Sequence, residues 1–397
     1  MSRALTLPAF ARRTDHVDPF FVMELAKQAV ALEQSGKPII HLSIGEPDFT
    51  APPGVQKALQ AAAESGRTQY TEALGLAALR EAIAGDYQRR HGLAIDPGRI
   101  LVTAGASGAL TLACAAMVNP GDRVLLADPG YPCNRHFVAA FDGVPQMVPT
   151  GVAQRFQLTP SLLQAHWQAD TRGMLLSSPA NPTGTSVPEA DLRQMLDQVR
   201  ERGGFSLVDE IYQGLSYGEP ALTALAMADD VIVTNSFSKY FHMTGWRLGW
   251  LVLPAKAVPT FEKLAQNLFI CASTLAQRAV LACFEPENLA IYEARHAEFH
   301  RRRDYLVPAL RRIGIDVPVT PDGAFYVYAD ISRFSNDSTR FAFELLEHAH
   351  VAVVPGKDFG FAEPERYIRI SYASSMENLE MAVARIGAYL AQRADAA

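Results

Sequence analysis

Apolar and polar positions divide the chain into two kinds of pattern. Between residues 97 and 253, short apolar runs alternate with segments of helical spacing. The runs cover 99–103, 124–128, 174–177, 205–209, 231–234 and 248–253. Runs this short and this apolar predict strands buried on both faces, and the segments between them, such as 108–118 and 189–201, predict helices. Pro188 and an acidic first turn mark the start of the second helix, and Gly203-Gly204 mark its end. Strands interleaved with helices imply an α/β layer, a mostly parallel central sheet flanked by helices. Beyond Ala255 the spacing is helical for about fifty residues. Strand-like pieces follow at 325–329, 351–354 and 367–371, with a closing helix from Met376. The first forty-odd residues have no place in the parallel sheet. The economical partition is a large unit over 46–290 and a smaller α+β unit built from both chain ends, 1–45 and 291–397.

Composition narrows the class. The 397 residues are about two to three times the commonest domain length, in keeping with two units. Hydrophobic residues make up 49% and charged residues 20%, the proportions of a globular protein with a sizeable core. A net charge of -6 with no clustered basic run argues against a nucleic-acid surface. The longest apolar stretch, 110–118, falls short of the roughly 18 residues that cross a bilayer. Nothing at the N-terminus reads as a signal peptide, so a cytoplasmic location is expected. Cys114, Cys133, Cys271 and Cys283 lie far apart without a C-x-x-C pair and are expected as buried thiols rather than a disulfide or zinc framework.

In doubly wound sheets ligands sit beyond the carboxyl ends of the strands, so the polar residues there are the candidates. After 99–103 comes Ala104-Gly105-Ala106-Ser107-Gly108, small residues opening a helix. Helix-start N–H groups with a serine hydroxyl suit a phosphate, although an ordinary strand-to-helix turn reads the same way. No P-loop and no G-x-G-x-x-G occurs. Tyr131 follows the next strand, then Asn181 in a loop fixed by two prolines. Asp209 and Tyr212 end the strand after that. Asn235-Ser236-Phe237-Ser238-Lys239 follows 231–234, and a lysine behind serines at a strand end is unlike the usual solvated surface charge. His296 and His300 lack the H-E-x-x-H order and read as a helix-surface pair, and His348 and His350 as capping or solvated. Ser107 fails G-x-S-x-G because Ala109 stands two positions on.

Taken together these segments resemble the class I/II aminotransferases, the aspartate-aminotransferase-like group of fold type I pyridoxal-phosphate enzymes. The resemblance runs from Ile39 to Ser374. It rests on Ser43-Ile44-Gly45-Glu46-Pro47-Asp48-Phe49, on Tyr70 followed by Gly75 and Leu79-Arg80, and on Asn181-Pro182-Thr183-Gly184. Asp209-Glu210-Ile211-Tyr212, Ser236-Phe237-Ser238-Lys239, Thr244-Gly245-Trp246-Arg247-Leu248-Gly249 and Arg369 complete it, in the family's order.

The resemblance implies pyridoxal 5'-phosphate as cofactor, with Lys239 as its Schiff-base lysine and proton shuttle. Arg247 and the Schiff base itself would depress the lysine's pKa. Asp209 would pair with the pyridine nitrogen, Tyr212 and Asn181 would bond the ring's phenolic oxygen, and Tyr131 would stack on the ring. Ala106, Ser107, Ser236, Ser238 and Arg247 would hold the phosphate. Tyr70 would reach the phosphate of a neighbouring subunit, which implies a homodimer. Arg369 would grip the substrate α-carboxylate beside the Gly45 backbone. The expected reaction is transfer of an α-amino group from an L-amino acid to a 2-oxo acid such as 2-oxoglutarate or pyruvate. The segment Pro19-Phe20-Phe21-Val22-Met23 would line the side-chain pocket, favouring a neutral or aromatic amino acid over aspartate. The competing expectations are a β-lyase or an aminocyclopropane-carboxylate-synthase-like enzyme on the same scaffold, and a non-catalytic ligand sensor.

Overall fold

The computed structural model describes residues 9–17, 21–218 and 222–395. Its first strand, β1 (Ile40–His41), lies apart from the main sheet. The main sheet holds seven: β2 (Ile100–Thr103), β3 (Arg123–Asp128), β4 (Val144–Pro149), β5 (Thr171–Ser177), β6 (Phe205–Asp209), β7 (Ile232–Ser236) and β8 (Gly249–Val252). Their order across the sheet is β2-β8-β7-β6-β5-β3-β4. The pairs β4-β3, β3-β5, β5-β6 and β6-β7 are parallel, and β8 runs antiparallel to both β2 and β7. The mostly parallel sheet is therefore as expected, with one reversed strand. The apolar runs predicted six of the seven. They missed β4, whose half-buried face and two prolines (Pro145, Pro149) suit an edge strand that pairs on one side only.

The helix Glu189–Glu201 has the bounds its start and stop signals mark. The helix Gly105–Met117 begins three residues earlier than its apolar spacing suggests, because Gly105 takes a left-handed φ of 73° that turns the chain out of β2 straight into the helix.

Two further sheets lie outside the main one, one of them joining both chain ends. β9 (Tyr326–Asp330), β11 (Val354–Pro355) and β12 (Tyr367–Ser371) form an antiparallel sheet in the order β11-β12-β9. β1 pairs in parallel with β10 (Val351–Ala352). The single strand expected at 351–354 is thus split at Val353 between two sheets. Next to β1, Leu42 N donates to Ala352 O at 2.9 Å, and Leu42 O accepts from Ser371 N at 2.8 Å, which stitches Ser43 to Gly45 alongside β12. The long helix Pro286–Arg312 anchors the chain just beyond Gly45: its Arg302, buried, makes a two-pronged pair with Asp48 at 2.7 and 3.0 Å.

Candidate active site

Where β3, β5, β6 and β7 end, the chain-end sheets close over a cavity of about 500 Å³, the size of a small-molecule site. Gly45, Ala106, Ser107, Tyr131, Asn181, Asp209, Tyr212, Ser238, Lys239, Arg247 and Arg369 all line it. Two candidates do not. Ser236 is buried behind the wall, its hydroxyl accepting the Ser238 N–H at 3.0 Å, and Tyr70 is 79% exposed, off the cavity.

The Lys239 amine donates to Gly45 O at 2.6 Å. Its pKa is lowered to about 8, chiefly because the cavity strips water from the ammonium. Arg369 and then Arg247 push the same way, while Glu46 and Asp209 oppose. Desolvation, rather than the expected neighbouring cation, is the larger cause. Asp209 is buried and accepts the Ile211 N–H at 3.1 Å. Burial raises its carboxyl to about 7, against the Ile211 N–H and the charge of Lys239.

Arg369 is held from two sides: it donates to Asn181 Oδ1 at 3.0 Å and to Ser43 O at 2.7 Å. Its Nε is buried without a hydrogen-bond partner among the described residues. Because Asn181 Oδ1 is taken by Arg369, its amide N–H groups remain to donate.

The start of helix Gly105–Met117 has no side-chain cap, so its first N–H groups keep their donor capacity. The Arg247 guanidinium lies against it, and a Cβ on Gly105 would come within 2.5 Å of Arg247 Nη2. Gly249 lets the helix start this close to β8, since a Cβ there would meet the Asn235 carbonyl and the Gly105 backbone at 2.8 Å. Hydroxyl, guanidinium and helix N-terminus together make an anion cradle.

Residues that local sequence did not single out also line the cavity, among them Tyr326, Val354, Asp358 and Phe359. Tyr326 and Val354 lie on strands of the chain-end sheets, and Asp358 and Phe359 on the turn that follows β11. Of the proposed entrance segment, Val22 and Met23 line the cavity, while Pro19 and Phe20 lie outside the described residues. Asp358 holds Val22 there by accepting its N–H at 2.9 Å. His296 and His300 stack on the buried Tyr217 ring, with centroids 5.4 and 5.1 Å away, so they pack rather than stand free on the helix. Of the four free cysteines, Cys114 and Cys283 are buried, but Cys133 and Cys271 are only partly so. No described helix is long and apolar enough to cross a membrane.

Comparison with known proteins gives the same picture at the level of the chain. The family model for class I and II aminotransferases matches residues 37–386. A valine–pyruvate aminotransferase of Mycobacterium tuberculosis is 40% identical over 376 residues, covering 94% of this chain and 97% of the relative. An aspartate aminotransferase of Rhizobium meliloti is 34% identical over 396 residues, covering 95% of each. The crystal structure of an aminotransferase from Mycobacterium tuberculosis superposes with a TM-score of 0.93 at 40% identity, over 97% of this chain and 100% of that one. The fold is that of the fold type I transferases. The chain belongs to the class I and II aminotransferase family, and its reaction is the transfer of an amino group.

Proposed function

We propose that this aminotransferase works with pyridoxal 5'-phosphate, takes its amino group from a neutral L-amino acid and passes it to a 2-oxo acid such as pyruvate. The observation that carries the reading is one cavity in which the Lys239 amine faces a carboxylate, a phenol, a carboxamide and two guanidiniums. The donor set fits the cofactor group by group. The cradle of Ala106, Ser107, Ser238 and Arg247, closed by a glycine where any Cβ would intrude, suits its phosphate. Ser236 would act there by holding the Ser238 turn. The unpartnered Arg369 Nε is a donor awaiting the substrate carboxylate, beside the Gly45 backbone.

When bound, the cofactor supplies an electron-withdrawing ring that stabilises negative charge on the substrate α-carbon. Lys239 Nζ would hold it covalently and, once freed, carry a proton to and from that carbon. A lowered pKa keeps enough of the amine neutral for both tasks. Asp209 would hold a proton on the ring nitrogen, and a cation beside it would keep the buried carboxyl charged. Tyr212 and Asn181 would donate to the ring's phenolic oxygen, and Tyr131 would cover its face.

The substrate class rests on the remaining wall. Val22, Met23, Leu110, Ile211, Val354 and Phe359 are apolar, and Glu46 and Asp358 would repel a second carboxylate. The relative named as a valine–pyruvate aminotransferase supports the same choice. The test is a panel of donors with pyruvate. Valine and leucine should exceed aspartate in kcat/KM by about tenfold or more, the scale of one unpaired carboxylate against an apolar wall. Aspartate as the best donor would refute the assignment.

We further propose a homodimer, on the exposed Tyr70 and the apolar Leu268, Phe269 and Ile270. Sedimentation at the mass of a single chain would refute it. A cytoplasmic location and the partition at 46–290 against 1–45 with 291–397 complete the reading. Fractionation and limited proteolysis, respectively, would test these.

A further inference from the structure

Tyr326 lines the cavity and is fully buried, yet nothing in the chemistry above uses it. It stands at the start of β9, in register with Ser371 on β12. Its hydroxyl oxygen lies 2.8 Å from that of Tyr212, its hydrogen-bond partner among the described residues. Its ring faces the Arg369 guanidinium, whose carbon is 4.5 Å from the ring centroid. On a further side the backbone of Gly45 closes in: a Cβ there would stand 3.3 Å from the Tyr326 hydroxyl.

Each phenol carries one proton, so a pair of hydroxyls has two protons and one shared hydrogen bond. If Tyr212 donated to Tyr326, the Tyr326 proton would have no acceptor among the described residues. Tyr212 could then meet a ligand only as an acceptor. If Tyr326 donates instead, its own proton is satisfied and that of Tyr212 is free for the ligand. The cost of an unmade buried hydrogen bond selects the second order. A cation over the Tyr326 ring favours it too, by drawing electron density from the hydroxyl that must donate.

We propose that Tyr326 is a positioning residue for amino transfer: its hydroxyl donates to the Tyr212 oxygen and so commits the Tyr212 proton to the phenolic oxygen of the cofactor. Linked hydroxyls polarise one another, so Tyr212 becomes the stronger donor for it. The inference rests on the reading of Tyr212 as a ligand of pyridoxal phosphate.

The test is a double-mutant cycle on the protein loaded with pyridoxal phosphate, reading the pH midpoint of its visible absorption band. A donor on the phenolic oxygen lowers that midpoint by competing for the oxygen with the neighbouring nitrogen's proton. Tyr326→Phe keeps the ring under Arg369 and should raise the midpoint by roughly half to one pH unit, the size of one neutral hydrogen bond. Tyr212→Phe should raise it further, and the double variant should match Tyr212→Phe alone, because Tyr326 acts through Tyr212. The melting temperature of the unloaded Tyr326→Phe protein checks that it is folded. An unchanged midpoint in folded Tyr326→Phe overturns the proposal, and so do shifts that add in the double variant. If Tyr212→Phe itself moves nothing, the placement of Tyr212 on the cofactor is wrong and this inference falls with it. If no visible band forms in the unaltered protein, the cofactor assignment fails first.

Discussion

Lys239 is an amine in a place that disfavours its charge. Desolvation lowers its pKa to about 8, and the arginines that flank the cavity add to this. The consequence can be measured on protein freed of cofactor. Only the neutral amine attacks a carbonyl, and its fraction rises with pH through the pKa. The rate of pyridoxal phosphate uptake, followed by visible absorbance, should therefore climb to a midpoint of about 8 and level off above it. A rate still climbing beyond about pH 10, where an ordinary lysine titrates, would contradict the account. Residues of this kind were legible in the sequence. Asn181, Asp209 and Lys239 each follow a short apolar run and sit at its carboxyl end, where a parallel sheet presents ligands. Tyr326, Asp358 and Phe359 were not legible. Their local patterns read as strand and turn, and only pairing with distant segments brings them to the cavity.

At the scale of elements, the join of β2 to the helix Gly105–Met117 carries the anion cradle. Gly105 is needed twice over, for its left-handed backbone and for the space that Arg247 occupies. An alanine there would incur backbone strain of about 1–2 kcal/mol and push the guanidinium aside as well. Gly105→Ala should lower the melting temperature of the unloaded protein by a few degrees and weaken pyridoxal phosphate binding about tenfold or more. Unchanged binding, titrated by absorbance, would show that the phosphate lies elsewhere. Apolar spacing placed this helix but not its first turn, because Gly105, Ala106 and Ser107 carry no hydrophobic period. The edge strand β4 escaped for a related reason: two prolines and a half-buried face dilute its pattern.

The whole molecule brings the site together by closing the chain on itself. β1 from the first fifty residues pairs with β10 near the end, and this places the Ser43 carbonyl against Arg369 over the carboxyl ends of the parallel sheet. Fold class was legible because alternating runs and helices admit few arrangements. How the ends meet was not, since pairings across some three hundred residues leave no local trace. The same closure puts the apolar residues Val22 and Phe359 on the lining that also holds Lys239. On the proposed function, this one cavity performs amino transfer on a neutral amino acid through Lys239 and pyridoxal phosphate. The direct measurement is the visible spectrum of the loaded protein on adding L-valine or L-alanine with no oxo acid present. The band should bleach with release of one equivalent of the matching oxo acid per chain, and Lys239→Ala should show no such turnover. With L-serine, whose β-hydroxyl can leave as water, a band that persists while ammonia and pyruvate accumulate would mean elimination rather than transfer, and bleaching by L-valine or L-alanine unimpaired in Lys239→Ala would remove Lys239 from the reaction.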